Sequence, residues 1–478
     1  MRHKNPLLRT DSYKNVHWSM EPPKTTKSYK YMESRGGMFD RTMFFGMNWY
    51  LKEYLLTPYT EENIKEAKWF NEMHFRAKGK FNEDGYKYIF DKYGGFLPVK
   101  IKSVPEGTVV PYKNVLLTVE STDEKAAFAT GPVETSIMRL WCPITVGTNS
   151  LLARKDIRNS IIRTGGDLNW LNYKLHDFGP RGVSSGETAE IAGAAHLAAG
   201  WEGSDNEEAI KMILDYYNFD VTNGMFPAYS IPASEHSIAL LWGDKREREY
   251  VLHMLRTHWD SPVSVIGDTW NIFRFLQMCA DDAEIRQAII DRPFPTVFRL
   301  DSGDPVEVIL KSLQLLWNGF GGSYNDKHFK CLHPNVKILQ GDGISRISIR
   351  DQIIPALEAN KWCFDVFGTL GSGGKLLQAF GRDDNEFAMK DSYAIVDGVE
   401  QSMFKDPITG SGKRSKPGML KLTPNGKDSF QTISSTKETP QMFNSYADAL
   451  QPVYENGKLL VDEKFSNVRA RSEKELQY

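Results

Sequence analysis

The segment at residues 176–185, His-Asp-Phe-Gly-Pro-Arg-Gly-Val-Ser-Ser, combines an aromatic ring, an arginine and a predicted helix start. Apolar residues at alternating positions predict a strand before it, and its Gly-Pro pair ends that strand. Ser184 and Glu187 have the spacing of a helix capping box, so a helix should follow the loop. Phe178 offers a ring for stacking, and Arg181 with the helix N-terminus can bind an anion. The loop therefore predicts a site for a planar ring with a phosphate nearby.

A second candidate is His236, which follows Glu235 at the predicted start of another helix. A histidine oriented by a carboxylate can act as a general base or accept a phosphoryl group as a nucleophile. The alternative is a half-buried histidine in a capped helix, without a chemical role. Because carboxylates also follow several other predicted strands, we favour a function for this pair.

Residues near three further strand ends indicate phosphate and sugar binding. Arg299 lies in an otherwise apolar strand and can present its planar guanidinium to a phosphate, while Asp301 can accept hydrogen bonds from sugar hydroxyls. The alternative for this pair is a structural salt bridge at the strand end. The glycine-rich segments 341–343 and 371–374 also follow apolar strands, and glycine lets backbone N–H groups approach a phosphate closely. Arg382 lies one predicted helix later.

Asp205 has two interpretations that the sequence leaves open. It can cap the next helix, or it can accept a hydrogen bond from a carboxamide NH2, which a carboxylate ligand could not donate. His196, on an Ala-rich helix, is expected to be a core residue, and the basic segment 413–416 is expected to be a solvated loop.

The elements that must position these residues alternate between short apolar strands and amphipathic helices. The predicted strands are 173–178, 228–231, 263–266, 297–300, 336–339 and 364–367, and the predicted helices are 185–199, 234–242, 269–278, 305–317, 349–359 and 374–380. Such repeats predict a parallel sheet, either closed or open and doubly wound, with its active site at the carboxyl ends of the strands. We favour an irregular TIM-like α/β barrel.

The two ends of the chain have a different pattern. Residues 61–77 read as a helix, 97–101 and 115–119 as strands, and the C-terminal part carries Asn-Gly turn signals. We therefore predict a barrel domain at 151–385 and a second α+β domain built from both 1–150 and 386–478.

Composition excludes several classes of function. A net charge of −2 over 478 residues gives no general attraction to nucleic acid or anionic membranes. The four cysteines form no CxxC pair, so neither a zinc site nor a disulfide framework is expected. The N-terminus lacks an apolar signal segment, and no run of apolar residues is long enough for a membrane span. These features predict a cytoplasmic protein.

Taken together, the motifs resemble the nicotinate/nicotinamide phosphoribosyltransferase family, and within it the enzymes that act on nicotinamide. The segments that carry the resemblance are Thr-Asp-Ser-Tyr-Lys at 10–14, His-Asp-Phe-Gly at 176–179, Arg-Gly-Val-Ser-Ser at 181–185, Gly-Ser-Asp at 203–205, Ala-Ser-Glu-His-Ser at 233–237, Arg-Leu-Asp-Ser-Gly at 299–303, Gln-Gly-Asp-Gly at 340–343, Gly-Ser-Gly-Gly at 371–374 and Phe-Lys-Asp-Pro at 404–407. They occur in the family's order over nearly the whole chain.

The resemblance implies a type II phosphoribosyltransferase fold and a homodimer with shared active sites. It implies transfer of phosphoribose from phosphoribosyl pyrophosphate to nicotinamide, coupled to ATP hydrolysis through a phosphohistidine. Magnesium would arrive bound to the diphosphate, and no metal ligands are expected from the protein. The implied catalytic residues are His236, Asp301, Asp268 and Glu235. The implied substrate-binding residues are Tyr13, Phe178, Arg181, Asp205, Ser264, Arg299, Gly341, Asp342, Gly374 and Arg382, and the phosphate-binding residues from the other subunit are Arg35, Lys390, Lys405 and Lys413.

Two alternatives remain at this stage. A nicotinate phosphoribosyltransferase would share the fold, but Asp205 facing the carboxylate of nicotinic acid would be repulsive. A non-catalytic ligand-binding protein on the same scaffold would be expected to have lost at least one key side chain. The residues concerned, all present, are Phe178, Asp205, His236, Arg299, Asp301 and Asp342.

Overall fold

The computed structural model describes residues 5–406, 414–426 and 429–477. Its strands are β1 (Thr25–Ser34), β2 (Arg41–Met43), β3 (Val99–Ser103), β4 (Val109–Pro111), β5 (Val115–Ser121), β6 (Leu175–Asp177), β7 (Val263–Ile266), β8 (Thr296–Leu300), β9 (Gly322–Tyr324), β10 (Lys330–Leu332), β11 (Val336–Gln340), β12 (Phe367–Ser372), β13 (Phe387–Val396), β14 (Val399–Ser402), β15 (Leu420–Pro424), β16 (Phe430–Ser434), β17 (Gln451–Glu455) and β18 (Lys458–Leu459).

The α-helices are α1 (Met47–Tyr50), α2 (Glu61–Phe75), α3 (Glu83–Tyr93), α4 (Thr130–Ile137), α5 (Trp141–Thr164), α6 (Gly186–Ala198), α7 (Glu207–Tyr216), α8 (His236–Trp242), α9 (Glu247–Thr257), α10 (Ile272–Asp281), α11 (Ala283–Asp291), α12 (Pro305–Phe320), α13 (Arg346–Ser348), α14 (Ile354–Ala359), α15 (Gly374–Leu377), α16 (Pro440–Ser445) and α17 (Phe465–Lys474). None of these helices combines the length and the apolar character that crossing a bilayer requires.

The described residues form two compact units. The first unit contains the residues up to Thr148, Asp215–Phe219 and those from Phe380 to Glu475. The second contains Asn149–Leu214, Asp220–Ala379 and the residues from Leu476 onward.

The first unit is built on a seven-stranded sheet to which both ends of the chain contribute, in the order β14-β13-β1-β5-β3-β17-β18. β1 pairs antiparallel with both neighbours, so that Tyr31 lies opposite Lys390 of β13 on one side and Thr118 of β5 on the other. β3 alternates between buried and partly exposed positions, whereas the central strands β1 and β5 are buried at most positions on both faces.

The second unit is built on a parallel sheet in the order β6-β12-β11-β8-β7. Its strands are buried on both faces, because helices follow each of them and pack back on the sheet. All four residues of β7 are buried, and Phe298, Ile338 and Leu370 are fully inaccessible to solvent. The α/β class predicted from the strand–helix repeats is confirmed.

Single parallel bridges continue this sheet beyond both of its edges. Asp177 of β6 bridges to Ser204, Gly203 bridges to Tyr229, and Ala233 bridges to Ser264 of β7. The ring of backbone hydrogen bonds is thus completed through two short segments that do not form regular strands.

Two predicted strands differ from the structure. Residues 228–231 make only the bridge at Tyr229, because Pro227 and Pro232 flank this segment and proline has no N–H to extend a ladder. The predicted strand 364–367 is largely a 3-10 turn at Phe364–Val366, and β12 begins at Phe367. The glycines within β12 concealed it, since glycine is uncommon in strands. The remaining predicted strands and helices have counterparts whose ends differ by a few residues.

Glu106 ties together three parts of the first unit. Its buried carboxyl group accepts hydrogen bonds from the N–H groups of Gly46 (2.7 Å) and Asn48 (2.6 Å) and from the Tyr217 hydroxyl (2.8 Å). Burial raises the pKa of Glu106 from 4.5 to about 7, and these hydrogen bonds only partly oppose that shift.

We expect Glu106→Gln to lower the stability of the first unit, because an amide offers one acceptor oxygen where the carboxyl group offers two. Since its folded pKa lies above its ordinary value, Glu106 contributes stability that is complete below about pH 4.5 and lost as the pH rises through 7. The deficit of the variant should therefore shrink by about 2 kcal/mol between about pH 5.5 and 8. Urea unfolding of the wild type and the variant at both pH values measures this difference in the free energy of unfolding, with the exposed Glu61→Gln as control. A deficit that is equal at both pH values would contradict this account.

Candidate active site

The candidate site lies in the second unit, where the parallel strands end. Because β6, β12, β11 and β8 run in the same direction, the residues that follow them meet at one edge of the sheet. This edge carries the loop after β6, the end of β8 with Asp301, and the glycine-rich segments after β11 and within β12.

Phe178 is held at this edge by the backbone of β12. Its N–H donates to the carbonyl oxygen of Ser372 (2.9 Å), and its ring lies where a Cβ atom on Gly371 would be 2.1 Å from Cε2. Only glycine at 371 permits this ring position. The Arg299 guanidinium carbon lies 5.3 Å from the ring centroid, and the His176 ring is 4.8 Å away. The aromatic residue predicted from the loop is thus fixed between a cation and an imidazole.

Asp205 lies beside this aromatic group as a partly exposed carboxylate. Its Oδ1 accepts hydrogen bonds from His176 Nε2 (2.8 Å) and from the Ser230 hydroxyl, and the side chain is 42% exposed. Burial acts to raise the pKa of Asp205, but the bonds from His176 and Ser230 and the charge of Arg299 outweigh it, so that the pKa is lowered. Among the described residues, Oδ2 of Asp205 accepts no hydrogen bond, and it is available to a ligand.

His236 is the first residue of α8 and pairs with Asp268. His236 Nε2 lies 3.0 Å from Asp268 Oδ1, and the histidine side chain is 43% exposed while that of Asp268 is 3% exposed. Glu235, which the sequence placed beside this histidine, accepts instead from the Ser237 hydroxyl (2.7 Å) and from Arg181 (3.5 Å), and these contacts lower its pKa. Asp268 is therefore the carboxylate that orients the ring, leaving Nδ1 as the nitrogen that can react.

Arg299, Asp301 and Gly341 form a compact group at the ends of β8 and β11. Arg299 Nη2 lies 3.0 Å from Asp301 Oδ2, and a Cβ atom at position 341 would be 2.4 Å from Asp301 Oδ1. Burial raises the pKa of Asp301, although the charge of Arg299 opposes this. The ion pair that the sequence offered as an alternative is present, yet the buried Nε of Arg299 has no hydrogen-bond partner among the residues that the structure describes.

Several buried polar atoms near these strand ends have no hydrogen-bond partner within the described part of the chain. They are Ser264 Oγ, Asp268 Oδ2, Thr269 Oγ1, Arg299 Nε and Gln340 Oε1. Buried polar atoms are nearly always paired in folded proteins, so a concentration of unpaired ones indicates a polar ligand. Asp342 is exposed at the same edge.

The loop after β6 also packs against the segment that starts α15. A Cβ atom on Gly182 would lie 2.8 Å from the backbone nitrogen of Gly374, so the two glycines allow the loops to touch. Arg181 itself is 87% exposed, and Glu235 is its ion-pair partner.

The remaining predicted residues lie in the first unit. Tyr13 is exposed there, and Arg382 pairs with Asp383 (2.8 Å). Arg35, Lys390 and Lys405 form a cationic cluster, in which burial and then the charges of the other two lower the pKa of Lys390. Arg35 Nη2 is buried without a partner in the described structure. Lys413 lies outside the described residues.

A cavity of about 370 Å³ also lies in the first unit, close in sequence to Tyr13. Its lysines are neutralised within the unit, since Lys14 pairs with Glu134 (3.1 Å) and Lys30 with Asp391 (2.7 Å). In the cationic cluster, Arg35 pairs with Glu33 (3.1 Å), but Lys390 and Lys405 form no salt bridge within the described part of the chain, so the cluster is the better candidate for anion binding.

Sequence reasoning assigned no role to two residues that hold Asp205. His176 stood in the loop motif, and its position one residue before a strand-end carboxylate was the available signal. Ser230 lies in no motif, and its contact with Asp205 depends on how the irregular segment around Tyr229 is placed.

Comparison with known proteins agrees with this geometry. Residues 5–101 match the profile described as nicotinamide phosphoribosyltransferase, N-terminal domain, and residues 173–457 match that of the nicotinate phosphoribosyltransferase (NAPRTase) family. The chain is 40% identical over 473 residues to a nicotinamide phosphoribosyltransferase of Xanthomonas campestris pv. campestris (strain 8004), covering 98% of both chains. It is 28% identical to a nicotinamide phosphoribosyltransferase of Acinetobacter baylyi (strain ATCC 33305 / BD413 / ADP1), covering 99% of this chain and 98% of the relative.

Two crystal structures share the fold. Nicotinate-nucleotide pyrophosphorylase from Pyrococcus furiosus matches with a TM-score of 0.59 at 16% identity, covering 100% of this chain and 98% of that one. Human nicotinic acid phosphoribosyltransferase matches with a TM-score of 0.53 at 13% identity, covering 98% and 93%. The resemblance carried by the sequence motifs is confirmed by these matches, and the chain belongs to the nicotinate phosphoribosyltransferase family.

Proposed function

We propose that this protein is a nicotinamide phosphoribosyltransferase of NAD salvage, which converts nicotinamide and phosphoribosyl pyrophosphate into nicotinamide mononucleotide and diphosphate. The observation that carries the proposal is the carboxylate of Asp205, with an open Oδ2, next to the ring of Phe178. The names of the relatives that match over the full chain support the same assignment.

The choice between an amide and an acid as substrate depends on the charge of Asp205. Its lowered pKa keeps the group ionised at neutral pH. An anionic oxygen can accept a hydrogen bond from a carboxamide NH2, whereas it repels the carboxylate of nicotinic acid. The geometry therefore favours nicotinamide over nicotinate, the alternative substrate in this family.

The reaction is a displacement at C1 of the ribose. The pyridine nitrogen forms a bond to C1 as the bond to diphosphate breaks, through a transition state with oxocarbenium character. Phe178 positions the ring, Asp301 accepts hydrogen bonds from the ribose hydroxyls, and Arg299 stabilises the charge of the departing group. We assign the magnesium ligands to the diphosphate itself, since magnesium is usually held in part by substrate phosphates.

ATP coupling is assigned to His236. The γ-phosphoryl group of ATP passes to Nδ1 as the bond to ADP breaks, and Asp268 holds the proton on Nε2 and stabilises the charged ring. Water later hydrolyses the phosphohistidine, which favours product formation. Arg181 and Arg299 both act on the carboxylate of Glu235, next to His236. Their positive charges are therefore available to the phosphates of both ATP and phosphoribosyl pyrophosphate.

The first unit supplies further groups in a homodimer. We assign the cationic cluster, Arg35, Lys390 and Lys405, together with Lys413, to phosphate binding in the active site of the other subunit, and Tyr13 to the second face of the nicotinamide ring. Burial and then the charges of Arg35 and Lys405 lower the pKa of Lys390, even though Glu134 and Asp391 oppose the shift, so a bound phosphate would stabilise this cluster.

Asp205→Asn should weaken the use of nicotinamide and relax the exclusion of nicotinic acid. An uncharged amide at 205 no longer repels a carboxylate, so the ratio of kcat/KM for the two substrates should fall by about tenfold or more, which corresponds to about 1.4 kcal/mol. The measurement is mononucleotide formation from each substrate, with the surface variant Asp260→Asn as control. An unchanged ratio would remove Asp205 from its assigned role.

His236→Ala should abolish an acid-labile, base-stable phosphate adduct that forms with ATP. Asp268→Asn should reduce its formation by about tenfold or more, because the charged ring loses its carboxylate. Labelling with γ-labelled ATP followed by peptide mapping measures both, and His253→Ala, on the exposed face of α9, is the matched control. Equal labelling in His236→Ala would show that the phosphate resides elsewhere.

Gly371→Ala should raise the KM for nicotinamide by about tenfold while changing the KM for phosphoribosyl pyrophosphate much less, since the new methyl group displaces the Phe178 ring. Gly368→Ala is a matched control in the same strand. Its methyl group would lie 3.2 Å from a Val297 methyl group, and the Phe178 ring is not among its nearest neighbours. If both KM values rise equally in Gly371→Ala, the ring of Phe178 does not specifically bind nicotinamide.

A further inference from the structure

Two of the four cysteines, 32 positions apart in the chain, are neighbours in the second unit. The N–H of Lys330 donates to the carbonyl oxygen of Lys361 (2.7 Å), and the N–H of Cys363 donates to that of Lys330 (2.9 Å). These bonds pair Lys330 with Trp362 as a parallel bridge, and the Lys330 ammonium group lies 4.8 Å from the Trp362 ring centroid. Cys331 and Cys363 are the next residues on the two paired segments.

This register brings the two thiols together. Residues in register on parallel segments point to the same face, with their Cα atoms about 4.8 Å apart, the normal spacing of paired strands. A disulfide spans Cα separations of about 4.4–6.8 Å, so the bond can form with little backbone movement. The Cys331 thiol lies 3.9 Å from the carbonyl oxygen of Phe329, and each of the two thiols shifts the pKa of the other.

The surroundings distinguish the two thiols chemically. The hydrogen bond from the Cys331 thiol lowers the pKa of Cys363 in spite of its burial, and the same bond raises the pKa of Cys331. Lys174 and Lys337 lie nearby, where burial lowers the pKa of both and the negative charges of Asp365 and Cys363 oppose that shift. The Asp365 carboxylate acts to raise the pKa of Cys363, but the interaction with Cys331 outweighs it. Cys363 is thus the thiol that ionises. It is buried, whereas Cys331 is only half-buried and is the more solvent-accessible of the two.

The other two cysteines provide a contrast within the same chain. Burial raises the pKa of Cys142 to about 12 and that of Cys279 even further, and no second thiol is placed beside either among the described residues. A thiol with so high a pKa is unreactive at neutral pH.

We propose that Cys331 and Cys363 form a redox site that reacts with peroxides and closes to a reversible disulfide. The Cys363 thiolate attacks one peroxide oxygen, the O–O bond breaks, and a sulfenic acid and water result after protonation. The Cys331 thiol then attacks the sulfenic sulfur, the S–S bond forms and a second water leaves. In total, two thiols are oxidised by two electrons while hydrogen peroxide is reduced to two waters.

The site lies at the end of the parallel sheet opposite to the candidate active site. Cys363 precedes the start of β12, whereas the glycine-rich segment that approaches Phe178 is at its end. The disulfide would tie the β9–β10 hairpin to the start of β12. The proposal does not depend on the proposed function, because it concerns neither substrate nor reaction.

The test treats the reduced, full-length protein with hydrogen peroxide, alkylates the remaining thiols and maps tryptic peptides. We expect peptides 331–337 and 362–375 to be joined with the loss of two hydrogens, two of the four thiols to become resistant to alkylation, and both effects to be reversed by dithiothreitol. The link should form about tenfold faster in the folded protein than in the same chain unfolded in urea.

Variants separate the site from general oxidation. Cys331→Ser should prevent the link and leave a sulfenic acid on Cys363 that dimedone traps, while Cys142→Ser should retain the link in full. Comparable circular dichroism of the variants shows that they are folded. The proposal is overturned if all four thiols survive peroxide that oxidises free glutathione in the same tube, or if the link forms no faster in the folded chain.

Discussion

The parallel register of β6, β12, β11 and β8 places the side chains of the candidate site at one edge of a single sheet. Backbone alignment alone is insufficient, because two of the side chains must occupy space that a neighbouring residue would normally fill. Gly371 leaves room for the ring of Phe178, and Gly341 leaves room for the carboxylate of Asp301. The site thus depends on missing Cβ atoms as much as on the functional groups, since alanine at either position would displace the ring or the carboxylate.

The surroundings shift the pKa values of two neighbouring carboxyl groups at this sheet edge in opposite directions. Asp177 is fully buried, so its pKa is raised to about 6 although it accepts from the Gly179 N–H and the Asn206 amide. Asp205 is partly exposed and bonded to His176 and Ser230, which lower its pKa. Asp177 therefore serves the structure by fixing the turn around Phe178, while Asp205 keeps an oxygen open to a ligand. When the surroundings shift the pKa values of neighbouring acids in opposite directions, residues of the same type can have different roles in one site.

The sequence predicted the parts of this molecule that depend on local pattern. β7 (Val-Ser-Val-Ile) and β11 (Val-Lys-Ile-Leu-Gln) are short, mostly apolar segments rich in β-branched residues, and their positions follow from composition. β12 was misplaced because its glycines serve contacts across the sheet that no local pattern records. Glu235 was chosen as the partner of His236 because the two are adjacent in sequence, whereas Asp268 reaches the ring from the next strand. The neighbouring thiols of Cys331 and Cys363 were invisible for the same reason, since the bridge between Lys330 and Trp362 is a tertiary contact.

Polar groups at the two ends of the parallel sheet have different partners. At the amino end, buried lysines are held by backbone oxygens: Lys174 donates to the carbonyl of Phe367 (2.7 Å) and Lys337 to that of Asp365 (2.9 Å). Among the described residues, this end also has two buried atoms without a hydrogen-bond partner, Thr296 Oγ1 and Asp365 Oδ1. At the carboxyl end, the unpaired buried atoms include Arg299 Nε and Asp268 Oδ2, which belong to the candidate site. Unpaired buried groups cost free energy, which a polar ligand bound at the carboxyl end would return.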